Sequence, residues 1–357
     1  MKIVLFIDKL CNGGAERQSS ILANLLIEKS FDVELTTYSP LPDEYPLNKL
    51  VRRVSLYSSN TIRRHINIIK YFRSTDADVI ISFMIGNTNH IVRSLFLKRK
   101  KFILIAGERN ITTSENWEKE KVAMAKSYKI ADYIVANSFT QADNLMKMFP
   151  QWKNRIKAIT NYTDVEHILP CFPKCNEIIK IGVFARYSQQ KNCLSFAKAV
   201  KRAKSIGNRT FRVDWYGNNS FGPDNLYEEL IGYIRHNDLS DVFYLHNSVE
   251  IDEVMPDIDI ICLPSLWEGF SNSVAEGICY GKPMLVSDVS DNHVMVKDGD
   301  NGFLFDPTDI NEMEDALIKI LNCSNEELCL MGKSSRRIAE QLFDSHCFIN
   351  NYIQLFK

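Results

Sequence analysis

Short runs of apolar and β-branched residues alternate along this chain with amphipathic segments of helical period. Such runs predict strands, whereas apolar residues repeating every three or four positions predict helices. In the first half, the predicted strands are 2–7, 32–38, 79–83, 102–106, 133–136 and 156–159, and the predicted helices include 15–29, 61–72 and 115–129. This alternation predicts a parallel sheet covered by helices on both faces.

The same alternation starts again after two closely spaced prolines, Pro170 and Pro173. The second set of predicted strands is 178–184, 211–215, 242–245, 258–263 and 283–287, with helices at 193–205, 224–237, 273–280, 311–321 and 334–357. We therefore predict an α/β protein of two tandem Rossmann-like, doubly wound domains facing a cleft. The expected domains are 1–166 and 167–340, and a C-terminal helix in 341–357 is expected to pack back toward the first domain. Ligands of such sheets bind beyond the carboxyl ends of the strands.

The charge distribution differs between the two halves. The 357 residues are 45% hydrophobic and 24% charged, which is an ordinary globular composition. Residues 1–166 carry 25 Lys and Arg against 17 Asp and Glu, and the remainder carries 18 against 27. This balance argues against a nucleic-acid partner and would let the basic half bind an anionic membrane surface. The basic segments 61–73 and 98–101 are the candidates, with an ordinary surface helix and a solvated turn as the alternative.

The cysteine pattern and the length of the apolar runs predict the cellular compartment of the protein. The nine cysteines form no Cys-x-x-Cys pair, which favours a reducing environment. No apolar run reaches the ~18–20 residues of a membrane span, and the first residues are expected to form a strand rather than a signal peptide. The expected location is the cytoplasm, at the inner face of the plasma membrane if the basic half binds lipid.

Gly13 and Gly14 lie between the first predicted strand and the first helix. Adjacent glycines let the backbone approach a ligand closely, and a helix N-terminus offers unpaired N–H groups to an anion. A plain tight turn is the alternative. The segment lacks the Gly-x-Gly-x-x-Gly pattern of dinucleotide binding, so a nicotinamide enzyme is not expected.

Two cations bracket the loop that follows the predicted strand 178–184. Arg186 and Lys191 stand five positions apart before the next helix. A planar guanidinium and a compact ammonium together suit a diphosphate. A solvated basic loop is the alternative for this pair taken alone.

Two carboxylates belong to the loop and helix that follow the predicted strand 258–263. Glu268 lies in a glycine-containing loop, Ser271 or Asn272 is expected to cap the next helix, and Glu276 lies about one turn inside it. The helix N-terminus can receive a phosphate, and the carboxylates can accept hydrogen bonds from hydroxyl groups. Surface charge is the alternative, but this arrangement favours a binding site.

These features together resemble the signature of glycosyltransferase family 4, also called glycosyl transferases group 1, whose members are retaining enzymes of the GT-B fold. The resemblance implies that Arg186 and Lys191 hold the donor diphosphate and that Glu276 binds the ribose hydroxyls. It also implies that Gly13 and Gly14 approach the diphosphate from across the cleft. On the same resemblance, the domain 1–166 would bind the acceptor and the domain 167–340 would bind the nucleotide sugar. Glu268 and the backbone of the next helix start would contact the donor sugar and phosphate, with Phe270, Ser271 and Asn272 supplying that backbone. The catalytic residues on this interpretation are Glu268, Arg186 and Lys191.

The chain departs from the family pattern at a few positions. Ala185 replaces the usual glycine, Tyr187 the usual leucine, and Tyr162 the glycine of an Asn-Gly turn. The segment Glu108-Arg109-Asn110 is similar to that of members that use UDP-N-acetylhexosamines. Arg109 is therefore a candidate contact to sugar or phosphate, with a structural pair to Glu108 as the alternative.

The predicted function is retaining transfer of a hexose or N-acetylhexosamine from a nucleotide-diphosphate sugar, with UDP favoured. The acceptor would be a glycan or lipid-linked oligosaccharide in surface polysaccharide synthesis. The nucleotide sugar is a co-substrate, and no cofactor or metal is expected, because the Asp-x-Asp pairs at 76/78 and 257/259 precede or open strands and that at 298/300 forms a turn. A non-catalytic nucleotide-sugar-binding protein and a nucleotide-sugar epimerase are the alternatives.

Overall fold

The structure is a computed structural model that describes residues 1–11, 13–42, 45–109, 117–174, 177–206, 209–218 and 226–357, with the backbone alone for 117–120. The chain divides into two compact units. Unit 1 comprises Met1–Tyr162 and Asp344–Lys357, and unit 2 comprises Thr163–Phe343. The boundaries expected from the sequence lie within a few residues of these.

Unit 1 contains a parallel sheet of seven strands in the order β3-β2-β1-β4-β5-β6-β7. The strands are β1 (Lys2–Phe6), β2 (Asp32–Thr37), β3 (Arg52–Ser55), β4 (Val79–Phe83), β5 (Ile103–Glu108), β6 (Tyr133–Ala136) and β7 (Ile156–Ala158). The helices between them are α1 (Gly14–Glu28), α2 (Thr61–Ser74), α3 (Ile85–Ser94), α4 (Trp117–Tyr128) and α5 (Phe139–Met148), and a 3₁₀ turn spans Pro150–Arg155.

Unit 2 contains a second parallel sheet, in the order β10-β9-β8-β11-β12-β13. Its strands are β8 (Ile179–Phe184), β9 (Phe211–Tyr216), β10 (Phe243–His246), β11 (Ile260–Leu263), β12 (Met284–Ser287) and β13 (Gly302–Phe305). Its helices are α6 (Cys193–Ile206), α7 (Leu226–His236), α8 (Ile251–Val254), α9 (Asn272–Cys279), α10 (Asn292–Met295), α11 (Ile310–Asn322) and α12 (Asn325–Leu342), with 3₁₀ turns at Gln189–Lys191 and Met255–Asp257.

The last helix, α13 (Ser345–Ile353), belongs to unit 1 although it follows unit 2 in the chain. Its Phe348 ring stacks on Tyr162 at 5.5 Å between centroids. Beyond the helix, the Phe356 ring meets Phe31 edge-on at 5.7 Å. Unit 1 is thus completed by the chain's final residues.

The central strands of both sheets are buried and lie where the strand order reverses. All residues of β4 and β11 are buried, as expected for parallel strands covered on both faces. The strand order reverses between β1 and β4 in one sheet and between β8 and β11 in the other. Crevices outside the carboxyl ends of strands at such switch points are the usual ligand sites of this architecture.

The sequence pattern missed several elements. It did not predict β3, β13, α3 or α5, and it treated 334–357 as one helical stretch, whereas α12 begins at Asn325 and ends before Phe343. The predicted starts of the helices 115–129 and 224–237 lie outside the described residues. Within the described part of the chain, we find no helix with the length and apolar character to cross a membrane.

Candidate functional site

The loop after β8 carries Arg186 and Lys191 at the switch point of unit 2. Arg186 is exposed directly beyond the strand, and Lys191 closes the 3₁₀ turn before α6. Asn192 makes this turn possible, because it adopts a left-handed conformation (φ 59°) and its side chain donates to the Pro307 carbonyl at 2.8 Å. The two cations therefore stand on a fixed backbone.

This loop is joined to the loop after β11. The Lys191 ammonium pairs with the Glu268 carboxylate, whose side chain is only 7% exposed. The Gln190 side chain donates to the Trp267 carbonyl at 2.8 Å, and the Leu266 N–H donates to the Gln190 carbonyl at 2.8 Å. The structure thus brings together the two motifs, Arg186 with Lys191 and Glu268 with Glu276, that the sequence singled out separately.

Three buried serine hydroxyls on these loops have unused hydrogen-bonding capacity. The Oγ atoms of Ser188, Ser265 and Ser271 have no hydrogen-bond partner in the structure. Ser271 occupies the N-cap position of α9, but its side chain makes no capping bond, which corrects the expectation from the sequence. Unpartnered buried hydroxyls are costly, and these three are free to bond to a polar ligand at the loops after β8 and β11.

The helix α9 carries the second carboxylate, Glu276. Asn272 is its first residue, Glu276 lies in its second turn, and both Glu268 and Glu276 are buried. Phe270 is buried just before the helix and holds its start against the core. The N-terminal N–H groups of α9 thus follow directly on the loop that carries Glu268, the partner of Lys191.

Tyr187 has a role that the sequence did not reveal. Its ring is buried, and its hydroxyl lies 2.8 Å from the carbonyl oxygens of Trp215 and His246 and accepts the His246 N–H. Burial raises the pKa of Tyr187 far above its usual value. This tyrosine, where the family usually has leucine, ties the Arg186 loop to the ends of β9 and β10.

The Gly13–Gly14 turn in unit 1 follows β1 at that sheet's switch point. The Gly13 N–H donates to the Tyr45 hydroxyl at 3.2 Å. A Cβ added to Gly13 would lie 2.1 Å from Glu16 Oε2, so the Glu16 carboxylate is folded over the start of α1. Burial, and then the nearby charge of Asp8, raise the pKa of Glu16. A carboxylate therefore lies beside the position where the sequence predicts an anion.

Arg109 lies at the carboxyl end of β5 and is held within unit 1. Its guanidinium donates to Asn161 Oδ1 at 2.8 Å and to the Tyr352 hydroxyl at 3.0 Å, and it lies over the Phe83 ring. The Arg109 Nε has no hydrogen-bond partner in the structure. Glu108 accepts the Tyr128 hydroxyl at 2.5 Å. Asn110, the third residue of this motif, lies outside the described residues.

The Asp-x-Asp pairs have structural partners. Asp78 accepts the Lys2 N–H at 2.7 Å, and Asp259 accepts the N–H groups of Lys174 and Lys180 at 3.0 Å. Asp300 accepts the Ser334 hydroxyl at 2.7 Å. Among the described residues, no three His, Cys, Asp or Glu side chains are grouped as metal ligands. The expected independence of metal remains a prediction.

Two doubly wound parallel sheets in tandem, each with a polar cluster at its switch point, define the GT-B class of α/β protein, as the sequence predicted. The structure of Anabaena HepE in complex with UDP and glucose is similar over 99% of this chain and 98% of that chain, with a TM-score of 0.79 and 16% identity. This likeness supports the fold.

Residues 177–323, within unit 2, match the family Glycosyl transferases group 1. This match confirms the predicted resemblance to glycosyl transferases group 1. An Escherichia coli UDP-Gal:alpha-D-GlcNAc-diphosphoundecaprenol alpha-1,3-galactosyltransferase is 27% identical over 203 residues, 51% of this chain and 49% of that protein. The chain thus aligns with about half the length of this relative. An uncharacterized 41.2 kDa protein from the cps region of Klebsiella pneumoniae is 25% identical over 81% of both chains.

Proposed function

We propose that this protein is a retaining glycosyltransferase that uses a UDP-sugar as donor. The observation that carries the proposal is the cluster at the unit 2 switch point. Arg186, Lys191, the start of α9 and unpartnered serine hydroxyls supply cationic and hydrogen-bonding groups that suit a diphosphate. Glu276, buried on α9, is the group that would accept hydrogen bonds from the ribose hydroxyls.

The pairing of Lys191 with Glu268 suggests how the site changes when the donor binds. In the structure, the Glu268 carboxylate neutralises the Lys191 ammonium. A diphosphate bound between Arg186 and Lys191 would take over that role and release Glu268 toward the donor sugar. The same cations would then stabilise the negative charge that develops on the departing diphosphate while the acceptor hydroxyl attacks on the same face.

We infer the nucleotide and the acceptor from the names of the relatives. The E. coli relative is named for UDP-galactose and for a GlcNAc-diphosphoundecaprenol acceptor, and the Klebsiella relative belongs to a cps region. We infer a hexose or N-acetylhexosamine donor and a lipid-linked glycan acceptor in surface polysaccharide synthesis. The N-acetylhexosamine choice depends on the Glu108–Arg109 segment alone.

The test is a panel of nucleotide sugars. Thermal unfolding with UDP, GDP and ADP should show stabilisation by UDP above the other two, because a ligand that binds only the folded state raises its melting temperature. Transfer is then measured with UDP-GlcNAc, UDP-GalNAc, UDP-Glc, UDP-Gal and GDP-Man and lipid-linked acceptors. A preference for GDP-mannose would contradict the UDP assignment, and binding without transfer or hydrolysis would favour a non-catalytic binding protein.

We expect transfer to continue in excess EDTA. The Asp-x-Asp pairs hold backbone N–H groups or a serine hydroxyl, and two of them directly precede strands, at the edge opposite the switch point. Product formation is compared with and without chelator, using a magnesium-saturated sample as the control. Complete loss of activity that magnesium or manganese restores would refute a metal-independent mechanism.

We also propose that α2 binds an anionic membrane surface. Ile62 and Ile66 are exposed on its first two turns, 72% and 44% respectively, among the basic residues Arg63, Arg64, Lys70 and Arg73. Exposed apolar groups among cations suit the lipid interface. Because α2 begins beyond the carboxyl end of β3, its first turns lie at the edge that carries Gly13 and Gly14.

Replacing these four basic residues of α2 by glutamine should abolish binding to phosphatidylglycerol vesicles, and binding of the unaltered protein should fall as salt rises. Vesicle flotation measures both. A matched variant with Lys98, Arg99, Lys100 and Lys101 replaced tests the second basic segment. Unchanged binding of the α2 variant would exclude α2 as the anchor.

A further inference from the structure

A cavity lies at the edge of the unit 1 sheet that is opposite the Gly13–Gly14 turn. Its volume is about 1040 Å³, at the upper end of the range for small-molecule pockets. Ile103 and Tyr133, the first residues of β5 and β6, line it together with the segments that follow α3 and α4. Because β5 is six residues long, roughly 20 Å of strand separates this cavity from the carboxyl edge of the sheet. The cavity is therefore a separate place in unit 1.

The charges that line the cavity are mostly positive. Among the described residues that line it, one is acidic, Asp132, and five are basic: Lys98, Lys100, Lys129, Arg155 and Lys357. The Asp132 carboxylate is already used, since it pairs with the Lys100 ammonium and accepts the Leu104 N–H at 2.7 Å. The ammonium groups of Lys98 and Lys129 form no ion pair or hydrogen bond with the described part of the chain. The cavity thus presents positive charge that favours an anion.

Arg155 has a fixed position in this lining and keeps donors to spare. Its Nη2 donates to the carbonyl oxygens of Tyr128, at 2.8 Å, and of Ala131. Its guanidinium lies over the Trp152 ring, 5.3 Å from the centroid. The Arg155 Nε is buried and has no hydrogen-bond partner within the described residues. A guanidinium held through one nitrogen retains other N–H groups that an anionic ligand can use.

The wall of the cavity between these cations is apolar. Leu95, Ile103 and Ile130 contribute to it. Phe96 and Leu97 also belong to the lining and are 70% and 90% exposed. An inorganic anion would leave this apolar surface in water, whereas exposed apolar side chains beside cations suit the interface of a lipid bilayer.

The backbone at Leu97 is strained without a gain in core packing. Leu97 has a left-handed conformation (φ 60°), which is unfavourable for a leucine, and its side chain is exposed. Arg73, in the last turn of α2, holds the preceding segment by donating to the carbonyls of Ser94 at 2.8 Å and Phe96 at 3.3 Å. The fold therefore fixes a strained turn that displays an apolar side chain, and such strain is typical of ligand-binding segments.

We propose that this cavity binds one anionic phospholipid molecule of a membrane. The lipid phosphate lies among the basic side chains of Lys98, Lys129 and Arg155, and an acyl chain covers the apolar wall, with Phe96 and Leu97 beside it. The site recognises a single lipid molecule, whereas the proposed contact of α2 depends on the charge of a surface. It also does not depend on the transfer reaction. Because α2 spans the sheet and its last turn contacts the Phe96 carbonyl, one membrane lying along this helix reaches both.

The test uses short-chain phospholipids below the concentration at which they form micelles, so that no charged surface is present. Isothermal titration of the full chain compares dihexanoyl phosphatidylglycerol, dihexanoyl phosphatidylcholine and glycerol 3-phosphate. The phosphatidylglycerol should bind saturably, one molecule per chain. The other two should bind at least ~10-fold more weakly, since one lacks net negative charge and the other lacks acyl chains. Equal affinity for glycerol 3-phosphate or for phosphatidylcholine would overturn the proposal.

Replacing two cations of the cavity should weaken this binding. The double variant Lys98→Gln with Lys129→Gln should bind the phosphatidylglycerol about 10-fold more weakly, because exposed ion pairs contribute up to about fivefold each. The matched control is Lys126→Gln with Lys153→Gln, two exposed lysines of the same unit that do not line the cavity. It should bind as the unaltered protein does, and equal affinity in both double variants would refute the site.

Leu97→Asn separates binding from folding. Asparagine adopts the left-handed conformation more readily than leucine, so the melting temperature should not fall. The affinity for phosphatidylglycerol should nevertheless drop by about threefold or more, because an apolar contact is lost. A lower melting temperature with unchanged affinity would show that Leu97 serves the fold and not the lipid.

A variant of α2 distinguishes the cavity from the helix surface. Replacing Arg63, Arg64 and Lys70 by glutamine keeps Arg73, which holds the Phe96 segment. This variant should bind the soluble phosphatidylglycerol as the unaltered protein does, even if it no longer binds vesicles. Loss of the soluble lipid in this variant would place the lipid on α2 and overturn the cavity as its site.

Discussion

Transfer should slow by ~10²–10³-fold when Arg186 is replaced by alanine, and by a similar factor for Lys191→Ala, as when one transition-state donor is removed elsewhere. Both cations stand on the short loop after β8, where they would stabilise the charge that develops on the diphosphate. Steady-state rates with the best UDP-sugar measure the effect. Arg235→Ala and Lys198→Ala, at exposed positions on α7 and α6, are the matched controls and should leave the rate unchanged.

The two variants should differ in stability. Arg186 is exposed, so its removal should leave the free energy of unfolding near that of the unaltered protein. Lys191→Ala leaves the buried Glu268 carboxylate without its partner, a change that typically costs about 3–5 kcal/mol. Adding Glu268→Gln should recover much of that loss without restoring transfer. Near-normal turnover in either single variant would show that the replaced cation belongs to an ordinary solvated loop and does not act in transfer.

Replacing Gly217 by alanine should destabilise unit 2 by about 3 kcal/mol and weaken nucleotide binding. A Cβ at this position, just after β9, would lie 2.1 Å from the Ala185 carbonyl oxygen and 3.1 Å from its carbon. That carbonyl also accepts the Trp215 indole N–H at 2.7 Å, so the backbone cannot yield without losing a buried hydrogen bond. The clash between the added Cβ and the Ala185 carbonyl would therefore strain the loop that begins with Arg186.

Gly232→Ala is the matched control for this substitution. Gly232 lies within α7, and a Cβ there would meet nothing within 4 Å. Alanine should therefore stabilise the protein by about 0.5–1 kcal/mol. Urea unfolding measures both variants, and thermal shift with UDP reports the site. Equal stability of Gly217→Ala and the unaltered protein would show that the loop after β8 has room to move.

The buried strands were predictable from the sequence because parallel strands are continuous apolar runs. The missed elements lack that signal. β3 carries Arg52 and Arg53 at the sheet edge, where polar residues are tolerated. α3 contains Gly86 and Asn87 near its start, and its stability comes from contacts with β4, including a 2.7 Å hydrogen bond between Thr88 and Ser82. Such tertiary contacts override weak local propensity.

The candidate site was predictable in its residue types but not in its connections. Arg186, Lys191, Glu268 and Glu276 stand out by their places after predicted strands. The pairing of Lys191 with Glu268 joins positions 77 residues apart in the chain, and no local pattern encodes it.

The dependence of unit 1 on α13 has a consequence for synthesis on the ribosome. The Arg109 guanidinium donates to Tyr352, a residue 243 positions later. At about 5–20 residues per second, roughly 12–50 s separate the emergence of the two. Unit 2 is continuous and can complete its fold first, whereas unit 1 lacks α13 until the last helix is made. The unit that begins at the N-terminus is therefore the later of the two to have all its residues.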